Sequence, residues 1–193
     1  MLIRFLPLLL IAFLLGMPPG AGIAQTAVAP LSGTAQAIDT AFDKLKNATA
    51  REQAWRIERE IWTLWMQSGR VEIDTLMLQA LELSNLRQLE ASLRILDAVV
   101  IKAPKFAEGW NRRATVLYLI GNYERSLSDI ERVLELEPRH FGAISGIALI
   151  RLAQGNKKAA LDAFRRVVRI HPFSRGVKQA IESLARELEG KKI

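Results

Sequence analysis

The chain has 193 residues, of which 50% are hydrophobic and 24% charged, and its formal net charge is +7. That length and balance suit a folded domain and exclude a chain too polar to bury a core. The absence of cysteine excludes disulfides, thiolate nucleophiles, cysteine-ligated metals and a lipoprotein-type anchor.

At the amino end, MLIRFLPLLLIAFLLGMPPGAGIA carries one cation, Arg4, then an apolar run from Phe5 to Leu15, a Pro18-Pro19-Gly20 break, and small residues at Gly22 and Ala24. That order is the layout of a secretory leader over residues 1–24, cleaved between Ala24 and Gln25. The alternative, an uncleaved membrane anchor, needs about 20 apolar residues, and the prolines cut this run short. Residues 25–33, QTAVAPLSG, are small, uncharged and unpatterned, which predicts a disordered linker.

Residues 34–70 read as a helix pair. Ile38, Phe42 and Leu45 share one face of a short first helix. In TARE, Thr49 and Glu52 have the spacing of a capping box, opening a second helix that runs to about Met66. NAT at 47–49 matches a glycosylation sequon and reads more simply as that helix boundary. Trp55, Ile57, Ile61, Trp62, Leu64 and Trp65 make the second helix apolar around most of its circumference, which predicts burial against the repeats. An exposed aromatic patch for a partner is the alternative.

Pro104, Pro138 and Pro172 recur every 34 residues, so the segments 73–106, 107–140 and 141–174 can be written beneath one another. Leu96, Ile130 and Phe164 then share a column, as do Val99, Val133 and Val167. Two further columns hold small residues, Ala80, Ala114 and Ala148 in one and Ser92, Ser126 and Ala160 in the other. Amphipathic periodicity alone does not require small side chains there; close approach of two helices does. Gly121 and Gly155 are placed to stop the first helix of a hairpin, and Asn122 and Asn156 to cap the second. In the first segment Arg87 and Gln88 replace that pair. Beyond the third segment, Val177, Ile181, Leu184 and Leu188 stripe one face of a terminal helix, which predicts a one-sided cap on an array spanning 73–190.

These columns resemble the tetratricopeptide repeat family. Trp110, Ala114, Gly121, Tyr123, Ser126 and Pro138 carry the likeness in the middle segment, and Ala148, Gly155, Ala160, Phe164 and Pro172 in the last. Arg113 and Arg151 depart from it at usually apolar positions. The resemblance implies an all-α fold, a short right-handed solenoid of helix hairpins with an N-terminal helix pair and a C-terminal capping helix. It also implies a concave groove lined here by Met77, Leu81, Asn85, Asn111, Thr115, Tyr118, Leu119, Ser145, Leu149 and Leu152, with Asp74, Ser84, Glu108, Gly142 and Ala153 at the remaining lining positions. That lining holds no basic residue, which argues against the carboxylate clamp of family members that grip acidic chaperone tails. It suits an amphipathic helix or an apolar peptide, unless the N-terminal helices or a second copy of the chain fill it.

Residues 151–193 hold 11 Lys/Arg against 4 Asp/Glu, whereas 25–150 hold 15 against 16. Lys158, Arg165, Arg166 and Arg169 fall opposite the apolar face of their helix and are expected to point outward. They form either a solvated face or a binding surface for anionic envelope polymer, membrane or an acidic protein partner, and export, rather than charge, argues against nucleic acid. His140 and His171 are expected as surface turn histidines, with no carboxylate set around them at metal-ligand spacing. There is no phosphate loop, nucleophile elbow or shared carboxylate pair, so the expectation is a non-enzymatic scaffold without cofactor or metal. With the leader, this places the protein outside the cytoplasm, in a bacterial periplasm, binding another protein in envelope assembly or maintenance.

Overall fold

The computed structural model describes residues 31–190. The expected leader and residues 25–30 of the expected linker lie outside the described residues. Among the described residues the elements are α1 (Leu31–Lys46), α2 (Arg51–Trp65), α3 (Val71–Asn85), α4 (Leu89–Lys102), α5 (Ala107–Leu119), α6 (Tyr123–Leu136), α7 (Phe141–Ala153), α8 (Lys157–Ile170) and α9 (Val177–Glu189). Residues 31–33, read from composition as linker, are the first turn of α1.

The three hairpins α3–α4, α5–α6 and α7–α8 are one design repeated. Ala80, Ala114 and Ala148 are at most 2% exposed, and Ser92, Ser126 and Ala160 at most 1%. The facing helices come close enough for the Ser92 hydroxyl to donate to the Ala80 carbonyl at 2.8 Å and the Ser126 hydroxyl to that of Ala114 at 2.7 Å. A serine in this column thus fills little space and satisfies its own buried hydroxyl.

The hairpin turns share one backbone geometry. Asn122 N donates to Leu117 O at 2.8 Å, Asn156 N to Arg151 O at 2.8 Å, and Gln88 N to Leu83 O at 2.9 Å. Each turn needs a left-handed residue, which is Gly121 at φ 81°, Gly155 at φ 74° and, in the first hairpin, Arg87 at φ 61°. The residue type departs in the first segment; the conformation does not. Asn122 and Asn156 cap α6 and α8 through their side chains, whereas Gln88 makes no such bond to α4. At α2 the expected Thr49 cap is also absent. The N-cap is Ala50, with no side-chain bond, and the Gln53 side chain instead accepts from Thr49 N at 3.2 Å.

Arg113, at a position where the family is usually apolar, is only 14% exposed at its side chain. It reaches both oxygens of Asp129 at 2.8 and 2.7 Å and Asp97 at 2.9 Å, with the Trp110 ring 4.9 Å from its guanidinium carbon. It therefore ties α5 to the second helices of its own and the preceding hairpin.

The helix pair α1–α2 packs against the far end of the array. One apolar cluster joins Ala41, Phe42 and Leu45 of α1 and Ile57, Ile61 and Trp65 of α2 to Phe141, Ile144, Phe164, Val167, Val177 and Leu184 of α7, α8 and α9. Trp55 Nε1 donates to Phe173 O at 3.3 Å, and Arg139 meets Asp39 at 2.8 Å. The second helix is buried as its composition predicts, and its cover is the third hairpin and the cap. The outer face of α3 and its C-cap are left without such cover: Val71 and Leu78 are 73% and 49% exposed, and the C-cap Leu86 61%.

Candidate binding groove

The first helices of the hairpins, α3, α5 and α7, with the cap α9, line the groove side of the array. α2 contacts the amino ends of three of them. Trp62 meets Arg112 of α5, with 5.9 Å from guanidinium carbon to ring, and sits on Gly142 of α7, where an added Cβ would lie 2.6 Å from its ring. Trp55 carries the Arg175 guanidinium 4.1 Å from its ring, just before α9. Beneath this strap lies a cleft of about 120 Å³, bordered by α2, α5, α7 and the start of α9.

The groove residues expected from the repeat positions divide into several sets. Asn111, Thr115, Tyr118, Ser145 and Leu149 border the cleft. Met77, Leu81 and Leu119, again with Thr115, surround a separate crevice of only about 10 Å³ between the first two hairpins. Asn85 is exposed, and Leu152 packs on the core. Three residues are less available than expected: Met77 is 1%, Leu149 5% and Asn111 7% exposed, so the first two belong to core clusters and the third is held by Glu108. The surface that remains half open is Thr115, Tyr118 and Ser145. Burial pushes the Tyr118 phenol above its ordinary range, with Tyr123 adding to it.

The lining is not free of cations, as the repeat positions had implied. Arg112 and Arg175 both border the cleft. Arg112 is committed to Glu108, Nε to Oε1 at 2.5 Å, and Arg175 to the face of Trp55.

Glu108 is not a groove side chain either. It is 1% exposed, and its other oxygen accepts from Asn111 Nδ2 at 3.0 Å and lies 3.0 Å from His140 Nε2. Burial drives this carboxyl upward; Arg112 and the His140 contact more than reverse that, leaving it below the usual carboxylate range.

The largest correction concerns the histidines. Neither is on the surface: His140 and His171 are both 0% exposed. His140 Nδ1 accepts from Ala143 N at 3.1 Å and so caps α7, while its Nε2 faces Glu108. This assigns the Nε2–H tautomer. His171 Nε2 lies 3.2 Å from Glu58 Oε2, off hydrogen-bond direction, and Glu58 of α2 is itself 3% exposed. Each histidine follows the second helix of a hairpin, and α1–α2 cover both turns. Among the described residues no three His, Asp or Glu side chains converge as a metal site.

The residues that repeat positions missed are therefore Glu58, Trp62, Arg112 and Arg175. The available signal was Trp62 on a helix with too much apolar surface, opposite a glycine, Gly142, at a helix position that gains nothing from glycine.

Lys158, Arg165, Arg166 and Arg169 are all exposed on α8, away from the cleft, and Asp162 partners Arg165 at 3.6 Å.

Residues 77–130 and 120–175 match the tetratricopeptide repeat family. The chain belongs to that family. A TPR repeat-containing protein of Rhizobium etli is 40% identical over 159 residues, 82% of this chain and 78% of that protein. DnaJ protein P58IPK homolog A of Oryza sativa subsp. japonica is 32% identical over 101 residues, covering 52% of this chain and 20% of its own length. The Sgt2 TPR domain of Aspergillus fumigatus superposes at TM-score 0.59 and 19% identity, over 64% of this chain and 83% of that one. The TPR2B domain of yeast Sti1, in its complex with pHsp70, superposes at 0.56 and 16% identity, over 61% and 99%. These likenesses show an all-α tetratricopeptide solenoid, a fold that serves as a protein–protein interaction scaffold.

Proposed function

We propose that this tetratricopeptide protein is an exported scaffold that seats an apolar segment of a partner protein in the cleft beneath α2, with no bond made or broken. The observation that carries this reading is the cleft itself, about 120 Å³ and bordered by half-open Thr115, Tyr118 and Ser145 beside apolar Trp62, Leu149 and Val177. A concave, mostly apolar site with a few hydroxyls and amides suits an anchoring side chain on a helix or extended peptide. The Sti1 domain, which shares the fold, is seen in complex with pHsp70, and a protein partner here is in keeping with that.

Export rests on the leader layout of residues 1–24. Together with a relative in Rhizobium etli, that layout supports a periplasmic location and a role in assembly or maintenance of the envelope. Cell fractionation with amino-terminal sequencing tests this: periplasmic protein beginning at Gln25 supports it, and cytoplasmic protein retaining Met1 contradicts it.

Partner binding is tested by purifying binding proteins from envelope extract with the parent and two variants. Thr115→Arg with Ser145→Arg fills the cleft mouth from half-exposed positions and should abolish capture. Reversal of Arg165, Arg166 and Arg169 to Glu should leave capture intact. The second reading is favoured by the exposure of those cations on one helix face: attraction to an anionic envelope surface. It requires the opposite pattern, with loss on charge reversal, release by salt, and indifference to the cleft variant.

A further inference from the structure

We propose that Glu58 selects the occupant of the cleft, and that the partner segment seated there carries a lysine among apolar residues, its ammonium brought against this buried carboxylate. The assignment rests on the cleft being the partner's seat, and it adds what the partner must carry. Glu58 lies on α2 between Trp55 and Trp62, at spacings of three and four that set all three along one face of the helix. It borders the cleft together with Trp62, and its side chain is 4% exposed.

A carboxylate taken out of water needs a cation or several donors to meet it. Glu108 is fully provided: Arg112 donates to it at 2.5 Å, Asn111 at 3.0 Å, and His140 Nε2 faces it at 3.0 Å. Glu58 has the histidine without the rest. His171 Nε2 lies 3.2 Å from Oε2 but off the hydrogen-bond direction, and neither ring nitrogen of His171 makes a hydrogen bond. Among the described residues no lysine or arginine pairs with Glu58. The two arginines that border the cleft are engaged elsewhere, Arg112 by Glu108 and Arg175 over the Trp55 ring. The chain therefore holds two buried Glu–His pairs, one completed by its own arginine and one that lacks a cation.

Lysine suits the site better than arginine. The cleft is about 120 Å³ and walled by Trp62, Leu149 and Val177, against which an apolar stem can bury while its ammonium reaches a single carboxylate. A guanidinium presents a fork of donors, and a carboxylate with one oxygen already against His171 offers too few acceptors for it. The charge of the whole chain acts in the opposite sense, since at +7 its long-range field favours acidic peptides. A preference for lysine therefore reports a local carboxylate and not the general field.

Selection from a displayed library of random peptides by the purified protein tests the proposal. The expected sequences hold a lysine at one position beside apolar residues. In a synthetic peptide of that sequence, lysine replaced by norleucine should bind the parent about tenfold more weakly, a comparison that requires no protein variant. Glu58→Gln should lose the discrimination between the two peptides and still bind both, with helical content unchanged, and Glu58→Asp, which keeps the charge, should restore it. Apolar or acidic sequences without lysine would overturn the role of Glu58 and leave the cleft as the partner's seat. A lysine preference that survives Glu58→Gln would overturn it as well, by placing the carboxylate elsewhere. Failure to select any peptide, or peptides that bind the Thr115→Arg, Ser145→Arg double variant as tightly as the parent, would remove the cleft reading and this proposal with it.

Discussion

Trp65 lies flat on His140, with ring centroids 3.9 Å apart and planes 8° from parallel. One residue ends α2 and the other caps α7, so a single stack joins the N-terminal helix pair to the start of the third hairpin. Trp62 meets the same imidazole edge-on at 5.6 Å, and Phe141 closes on Trp65 at 5.0 Å. Removing the indole in Trp65→Ala should cost about 3–5 kcal/mol, as for other buried aromatic truncations. Urea denaturation measures the loss, and limited proteolysis should cut first between α1 and α2 or just after Trp65. A stability equal to the parent would mean that α2 does not rest on this turn.

Glu108 sets an acid limit on the same contact. Its folded pKa lies below the ordinary value, so it adds stability that is complete above its unfolded pKa, about 4.3, and is lost as pH falls through the folded one. Glu108→Gln should remove this contribution and leave Arg112 and His140 without their anion, lowering stability at neutral pH by roughly 3 kcal/mol. Chemical denaturation from pH 7 down to pH 3 should show the two proteins converging towards acid. Parallel curves would mean that Glu108 carries no charge-dependent stability.

Arg87 holds a left-handed backbone that a side chain disfavours by roughly 1–2 kcal/mol. Arg87→Gly should therefore raise the midpoint of thermal unfolding, with a gain of up to about 1 kcal/mol after the added freedom of the unfolded glycine is counted. Gly121→Ala, at φ 81° with open space around it, should lower it by a similar amount. Opposite signs at equivalent turns distinguish backbone strain from general sensitivity of the loop.

Ala114 is 2% exposed and faces Ser126 across the hairpin. Ala114→Leu should force α5 from α6 and cost about 1–3 kcal/mol by overpacking. A melt matching the parent would contradict the close helix contact on which the repeat reading depends.

The hairpins were legible because their contacts are local. Ala114 and Ser126 are 12 residues apart, so one period suffices to register both. Even the first turn, irregular in residue type at Arg87 and Gln88, was aligned correctly by its flanking columns. The strap was not legible, because Trp55 reaches Phe173 across 118 residues and no periodicity encodes where such a helix lands. The errors at the groove follow from that one gap. A histidine at a hairpin turn is ordinarily solvated, and His140 and His171 are buried because α1–α2 cover their turns. Leu149 faces the concave side as its position requires, yet α2 and α9 pack in the same cluster and leave it 5% exposed. A charge placed there would therefore report on folding before it reported on binding.

The cleft is tested most directly by a photoactivatable benzophenone side chain placed in living cells at Ser145, which borders it, and separately at Arg166 on the outer face of α8. Irradiation should link Ser145-labelled protein to one segment of one partner, mapped by mass spectrometry, and the Thr115→Arg change should suppress that adduct. Adducts from Arg166 with none from Ser145 would contradict the cleft as the partner's seat.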